Sequence, residues 1–392
     1  MATNEFTLEK LDELIDQSKG YDELKRDFRV DVGHVSFKGH DTGMSLVIPD
    51  QNETDLRRNR GIWHDYEPID GMAGFKRPPI SFLDTPAQFD IRDDVYPQMF
   101  QKLSTIHWDK ASRTGSIPLD FMKQFSHWER ADILNMIKAK APMGQSWMVR
   151  TFGHESRAIL DGDYPRTWNT EVLQATRELV ANADLGDDPI FPRPRITEDN
   201  TYIRIYWDDT GTDEGGGLKV GVVIANGETG GSATKILPMI YRGECSNGLI
   251  FESTDTSRVG ITISHHRSRS PRVMMAQFVE QFPEVMRISA SAITRMLDSQ
   301  EVRLPDFNNV LEGLRIEHNW SRNVTNDVIA GTEKQDSVFG LVNGITYAAH
   351  TSTENADTEY SMEKLGGKYL FANMKTFERL ARQGRKGEKI RA

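Results

Sequence analysis

The chain contains one cysteine, Cys245, in the run YRGECSNGLIF at 241–251, with His265 and His266 downstream. A cysteine nucleophile needs a lowered thiol pKa and a base within reach. In a regular strand over 259–265 successive side chains alternate faces, so the two imidazoles point to opposite sides and at most one could meet the thiol. Asn247-Gly248 is a type I′ hairpin signal, and a lone cysteine most often behaves as a small buried apolar residue. The stretch therefore reads as a turn rather than a catalytic centre.

Other candidate chemistry is no stronger. The acids of DDTGTDEGGG at 208–217 do not have the spacing of a calcium loop, and no H-E-x-x-H pattern occurs. GETGGSA at 227–233 lacks the lysine of a phosphate loop and reads as a hairpin between strands. No catalytic residue, metal or cofactor is expected. A metal-dependent nuclease would have to use Asp163, Asp208 or Asp209, and it stands as a weaker alternative.

Nucleic-acid binding has the better case in the residues. YIRIYW at 202–207 places Tyr202, Arg204 and Tyr206 on one strand face, and Ile203, Ile205 and Trp207 on the other. Aromatic rings interleaved with cations are how sequence-tolerant single-strand binders work. Lys219, Lys235 and Arg242 fall on neighbouring strands. Arg267, Arg269 and Arg272 stand at the entry to a helix, whose N-terminus favours anions. Together these are expected to line a groove, against the plainer reading of a solvent face with extended cationic side chains.

The elements that must position these residues follow from periodicity. Residues 7–28, 94–106 and 118–141 read as helical, the last with Phe121, Phe125, Trp128, Ile133 and Ile137 inward. Residues 52–77 read as a loop. The segment 146–160 reads as a hairpin around Gly153-His154, followed by a helix capped by Asn169. Strands at 202–206, LKVGVVIA, TKILPMIYR, GLIFES and RVGITIS come next. Pro238 marks an edge or bulge, because proline cannot donate to the ladder. Pro271 opens a helix that Pro283 breaks or kinks. The fold class is α+β: a curved antiparallel sheet with long hairpins packed on helices, with helical N- and C-terminal regions. The expected divisions are 1–140 (helices and short strands), 141–300 (sheet plus helix) and 301–392 (mainly helical, with a basic tail).

With 392 residues, 38% hydrophobic and 27% charged, the composition is that of a globular protein. Its start has no apolar signal region, and no apolar run reaches the length of a membrane span. One cysteine forms no internal disulfide, so a reducing cytosol is the expected compartment. The net charge of −10 argues against a bulk positive field. However, NMKTFERLARQGRKGEKIRA at 373–392 holds seven Lys/Arg against two Glu.

Several motifs also agree in order and spacing with a known family. WMVRTFGHESRAILDGDYPRTWNTEVL, GGGLKVGVVIANGETG and RGECSNGLI resemble the phage and plasmid proteins grouped as domain of unknown function 932, over about residues 90–370. The matching positions are Arg150, Arg157, Tyr164, Asn169, Asn226, Glu228, Arg242, Cys245, Asn247 and Gly248. Ala225 and Gly227 depart from the family's hairpin serines, and Gly162 departs from a turn serine. More distantly, the pattern is similar to phage single-strand annealing proteins of the Rad-fifty-two superfamily, which form rings with DNA in an outer groove. The resemblance implies a non-enzymatic homo-oligomer that binds and anneals single-stranded DNA, with RNA left open, in phage or plasmid recombination in the cytoplasm of a bacterial host. Arg150 and Arg157 would then join the groove. A self-assembling structural protein without nucleic-acid binding is the alternative.

Overall fold

The structure, a computed structural model of the chain, describes residues 5–6, 8–49, 87–93, 95–96, 99, 122–139, 145–162, 164, 167–182, 189–230, 233–243, 247–254, 257–258, 261–263, 271–353 and 355–391. The expected loop at 52–77 and most of the helix at 94–106 lie outside these residues.

The chain opens with β1 (Glu5–Phe6), α1 (Leu8–Leu24), β2 (Lys25–Asp31), β3 (Ser36–His40), β4 (Gly43–Ile48) and β5 (Ala87–Ile91). It continues through α2 (His127–Lys138), β6 (Ser146–Phe152) and β7 (Glu155–Asp161). Strands β2 to β7 form one sheet in the order β2-β6-β7-β5-β4-β3, antiparallel except for the β5–β7 pair, while β1 pairs with the later strand at Phe191–Pro192. The expected hairpin turns at Gly153, whose φ of 57° suits a residue without Cβ.

Ser126 caps α2 in a capping box with Glu129, satisfying two orphan donors of the first turn. The helix lies against β3 so closely that a Cβ on Gly39 would fall 2.4 Å from the Trp128 Cα. Asn135 accepts from the Phe37 amide at 2.9 Å and donates to the Phe37 carbonyl at 2.8 Å. Its carboxamide thus partners the edge strand's backbone, which otherwise invites another chain. Ala131 and Leu134 are the buried residues of this helix. Trp128, expected inward, is 58% exposed, because its backbone rather than its ring meets the strand.

After β7 come α3 (Asn169–Asn182), β8 (Phe191–Pro192), β9 (Arg195–Ile196), β10 (Asn200–Thr212), the single turn α4 (Glu214–Gly217), β11 (Leu218–Gly227) and β12 (Thr234–Arg242). Next are β13 (Asn247–Ile250), β14 (Ser253–Thr254), β15 (Ser257–Arg258) and β16 (Ile261–Ile263). The second sheet is antiparallel in the order β13-β12-β11-β10-β9, with β16 also on β12. Pro238 lies in a central strand, not at an edge. Its neighbours explain this: β16 pairs with 234–236 and β13 with 239–242, so proline occupies the gap where no ladder donor is required. Arg242 pairs with Asn247, and Tyr241 with Gly248. Asn247-Gly248 is therefore strand, not the two-residue turn expected. Cys245 lies outside the described residues.

The rest is helical: α5 (Pro271–Asp298), α6 (Phe307–Glu317), α7 (Arg322–Gly331), α8 (Val338–Thr351), α9 (Ala356–Leu370) and α10 (Met374–Arg391). Pro283 does not end α5, which continues to Asp298. Phe278, Phe282, Val285, Ile293 and Met296 bury one stripe of it with Ile203, Ile205, Trp207, Val222 and Ile224 of the sheet. That burial holds the helix across the missing hydrogen bond. On the opposite sheet face, Tyr202, Tyr206, Val223, Met239 and Tyr241 bury with Ala356 and Tyr360 of α9. The second sheet is thus a layer between helices, the α+β arrangement expected.

Helices α6 and α10 meet at glycines. A Cβ on Gly313 would lie 2.1 Å from the Leu380 carbonyl oxygen, and one on Gly384 2.1 Å from that of Asn309. Gly20, inside α1, has no atom within 4 Å of its missing Cβ. The two environments predict opposite signs in chemical denaturation. Gly20→Ala gains about 0.5–1 kcal/mol from helix propensity, whereas Gly313→Ala loses about 1–3 kcal/mol through overpacking. Equal stabilisation by both would contradict the close crossing.

Candidate functional site

Lys25, Arg150, Arg157 and Asn169 converge on one residue. Glu228, in the turn between β11 and β12, is fully buried. Its Oε1 accepts from Lys25 Nζ at 2.9 Å and from the Asn169 amide at 2.7 Å. Its Oε2 accepts from Arg157 Nη2 at 2.6 Å, and its carbonyl accepts from Arg150 Nη1. The arginine of Arg150 also lies over the Tyr164 ring, 5.5 Å from its centroid. Asn226 donates to Asn169 Oδ1 at 2.8 Å and to the Thr167 carbonyl at 3.0 Å. Asn169 is the first residue of α3, and its side chain serves Asn226 in this way.

The surrounding charges are matched. Lys25 also donates to Asp22 at 2.8 Å, and Arg157 to Asp199 at 2.7 Å. Burial pushes the carboxyls of Asp22 and Asp199 up, although the cations beside them oppose it. Burial alone would lower Arg157, but Glu228 and Asp199 outweigh it and raise its pKa. Buried charges persist only when paired and hydrogen-bonded. Arg150 and Arg157, expected in a nucleic-acid groove, are instead buried within this junction of the two sheets.

A second cluster fills the expected groove. Arg204 donates from Nε to Glu363 Oε1 at 2.9 Å and from Nη2 to Oε2 at 2.5 Å. Its Nη2 lies 3.3 Å from Glu359 Oε1, and Arg195 Nε donates to Glu359 Oε2 at 3.1 Å. His350 Nδ1 lies 3.3 Å from Glu359 Oε1, and Nε2 lies 3.5 Å from Glu363 Oε1, without hydrogen-bond alignment. Burial opposes ionisation of Glu359, yet the imidazole and the two guanidinium groups outweigh it and hold its carboxyl at about 2. Gly248 makes room for the other carboxylate: a Cβ there would meet Glu363 Oε1 at 2.8 Å. His350, Glu359 and Glu363 are the described residues whose donor atoms, within 4.8 Å of one another, could hold a metal.

Tyr206 stacks on Tyr241 with centroids 4.3 Å apart, and Tyr202 on Tyr360 at 4.5 Å. These faces are occupied by protein, which corrects the expectation that Arg204 and Tyr206 line an open groove. Arg242 is also mostly buried and donates to Glu333 at 2.6 Å. Lys219 and Lys235, each 19% exposed, pair with Asp208 and Glu252. Arg267, Arg269, Asp163, His265 and His266 lie outside the described residues, as does the side chain of Arg272 in the first turn of α5.

Exposed positive charge collects on α10. Phe377, Leu380, Ala381 and Gly384 face the core, while Lys375, Arg379, Arg382, Arg385 and Lys386 face outward. Arg379 pairs with Glu317 at 3.2 Å through Nη2, and Arg385 pairs with Asp306. Arg379, Arg382, Gln383, Arg385 and Lys386 line an open cavity of about 620 Å³. The basic composition of 373–392 signalled this surface. The His350 cluster carries no short motif, because its ligands join one residue of α8 to an i, i+4 pair on α9.

No family model, curated protein or solved structure matches the chain.

Removing one partner from a buried ion cluster leaves the others uncompensated. Glu228→Gln should therefore cost about 3–5 kcal/mol in equilibrium unfolding. Arg177→Ala, at the exposed Asp12 pair, should cost about 1 kcal/mol or less. Similar effects for the two would remove Glu228 from its central role.

Proposed function

We propose that the protein binds single-stranded nucleic acid through phosphate contacts along α10. The observation that carries this reading is the outward row of Lys375, Arg379, Arg382, Arg385 and Lys386, the last four of which border the cavity. Lys375, Arg379, Arg382 and Lys386 recur every three or four positions, so they share one helix face, with Arg385 beside it. Arginine and lysine on such a row can neutralise successive phosphates and release counterions, a contribution that carries no sequence preference. The buried opposite face fixes the row in place.

Strand annealing in phage or plasmid recombination, by a homo-oligomer and without covalent chemistry, is the biological role proposed with it. That part rests on the motif resemblance. Neutralised phosphates would let two strands approach while their bases remain free to pair.

The reading is tested by fluorescence anisotropy with labelled DNA and RNA oligonucleotides, together with an annealing assay on complementary strands. About four neutralised phosphates on a single strand would give a log–log salt slope near −3, or about a fiftyfold loss between 50 and 200 mM salt. Arg382→Glu with Lys386→Glu should weaken binding about tenfold or more and flatten the slope. These exposed substitutions leave the core intact, whereas truncation at 373 would remove Phe377 and Leu380 from it. Salt-independent binding, or an unchanged double variant, would refute the α10 interface. Binding without accelerated annealing would remove the annealing role.

A further inference from the structure

We propose that His350, Glu359 and Glu363 form a site for a divalent transition-metal cation that ties α8 to α9. This inference does not depend on the nucleic-acid reading.

The first support is geometric. One donor atom from each residue lies within 4.8 Å of the others. The 3.3 Å separation runs from Nδ1 to Glu359 Oε1 and the 3.5 Å separation from Nε2 to Glu363 Oε1, so a single ring nitrogen would hold the ion and the more distant carboxylate would move in on binding. Metal–ligand bonds of roughly 2.0–2.2 Å place neighbouring donors about 3–3.5 Å apart at tetrahedral to octahedral angles. Glu359 and Glu363, four positions apart on α9, present their carboxylates on one face. His350 approaches from the last turn of α8.

The second support is unmet polar capacity. The His350 side chain is only 5% exposed, and neither ring nitrogen has a hydrogen-bond partner. Glu359 Oε1 is likewise buried without one. Native interiors rarely leave such atoms unsatisfied unless a water, an ion or a functional role accounts for them. A cation held by one ring nitrogen and Glu359 Oε1 would satisfy both of those atoms, and the other nitrogen, as N–H, lies beside a carboxylate that can accept from it.

The outer contacts are those of a supported ligand set. Arg195 holds Glu359 Oε2, and Arg204 holds both oxygens of Glu363. Such contacts orient ligating carboxylates, and Glu363 Oε1, which accepts one bond from Arg204, retains a second lone pair. The same guanidinium groups already offset the two acids. A dication therefore adds charge to the cluster, and Arg204 weakens its binding. An ion that gains from an imidazole bond, such as zinc, is favoured over magnesium or calcium, which prefer oxygen donors.

The test uses the full chain, stripped with chelator and titrated with zinc against a chromophoric competitor, in parallel with His350→Gln and Glu363→Gln. One saturable zinc per wild-type chain is expected, with affinity reduced about tenfold or more in either variant. Circular dichroism checks that the variants are folded. X-ray absorption of the zinc-loaded wild type needs no variant, and it should show one imidazole with oxygen donors. The proposal is overturned by no saturable site at micromolar zinc, equal affinity in folded wild type and variants, or a spectrum with sulfur or several imidazoles.

Discussion

The buried carboxylate of Glu228 is the contact on which the two sheets depend. Lys25 comes from β2, Arg150 and Arg157 from β6 and β7, and the Asn169 amide from the start of α3. All reach one turn of the second sheet. A charge removed from water is tolerated only when its partners are close and its lone pairs are used. The requirement works in both directions here, because Lys25 and Arg157 are equally buried. The cluster stabilises one relative placement of these elements because others would strand its ions.

The same physics governs the far face of the second sheet. Arg204 in β10 would be costly under a helix were it not met by Glu359 and Glu363. Tyr202 and Tyr206 stack on tyrosines rather than on a ligand. Gly248 contributes through what it lacks, since a side chain there would push the Glu363 carboxylate away. Among the described residues, Arg150, Arg157, Arg204 and Arg242, which suggested a binding groove, are consumed in the architecture.

Among the described residues, a row of exposed positive charge lies on α10. Its apolar side rests on α6 through glycine contacts, while its charged side faces solvent. Burial and exposure thus divide the arginines into two populations with different work. Those paired inside fix element positions, and those outside supply the field that a polyanion would meet. The proposed cation between α8 and α9 belongs to the first group, as a further tie within the interior.

The amino-acid order by itself determined the α+β class, the hairpin at Gly153, the alternating pattern of β10 and the basic terminal helix. Each depends on neighbours a few positions apart: period-two and period-3.6 burial, glycine in turns and local charge. It did not show that Arg150, Arg157, Asn169 and Glu228 form one cluster, and it placed Arg150 and Arg157 in a groove instead. Only the tertiary structure decided that both faces of β10 are covered, that Pro238 fills a gap between two partner strands, and that His350 meets Glu359 and Glu363. The physical reason is that a polar-aromatic stripe has the same local pattern under water and under a helix with complementary carboxylates. Which of these covers it depends on residues some 150 positions away.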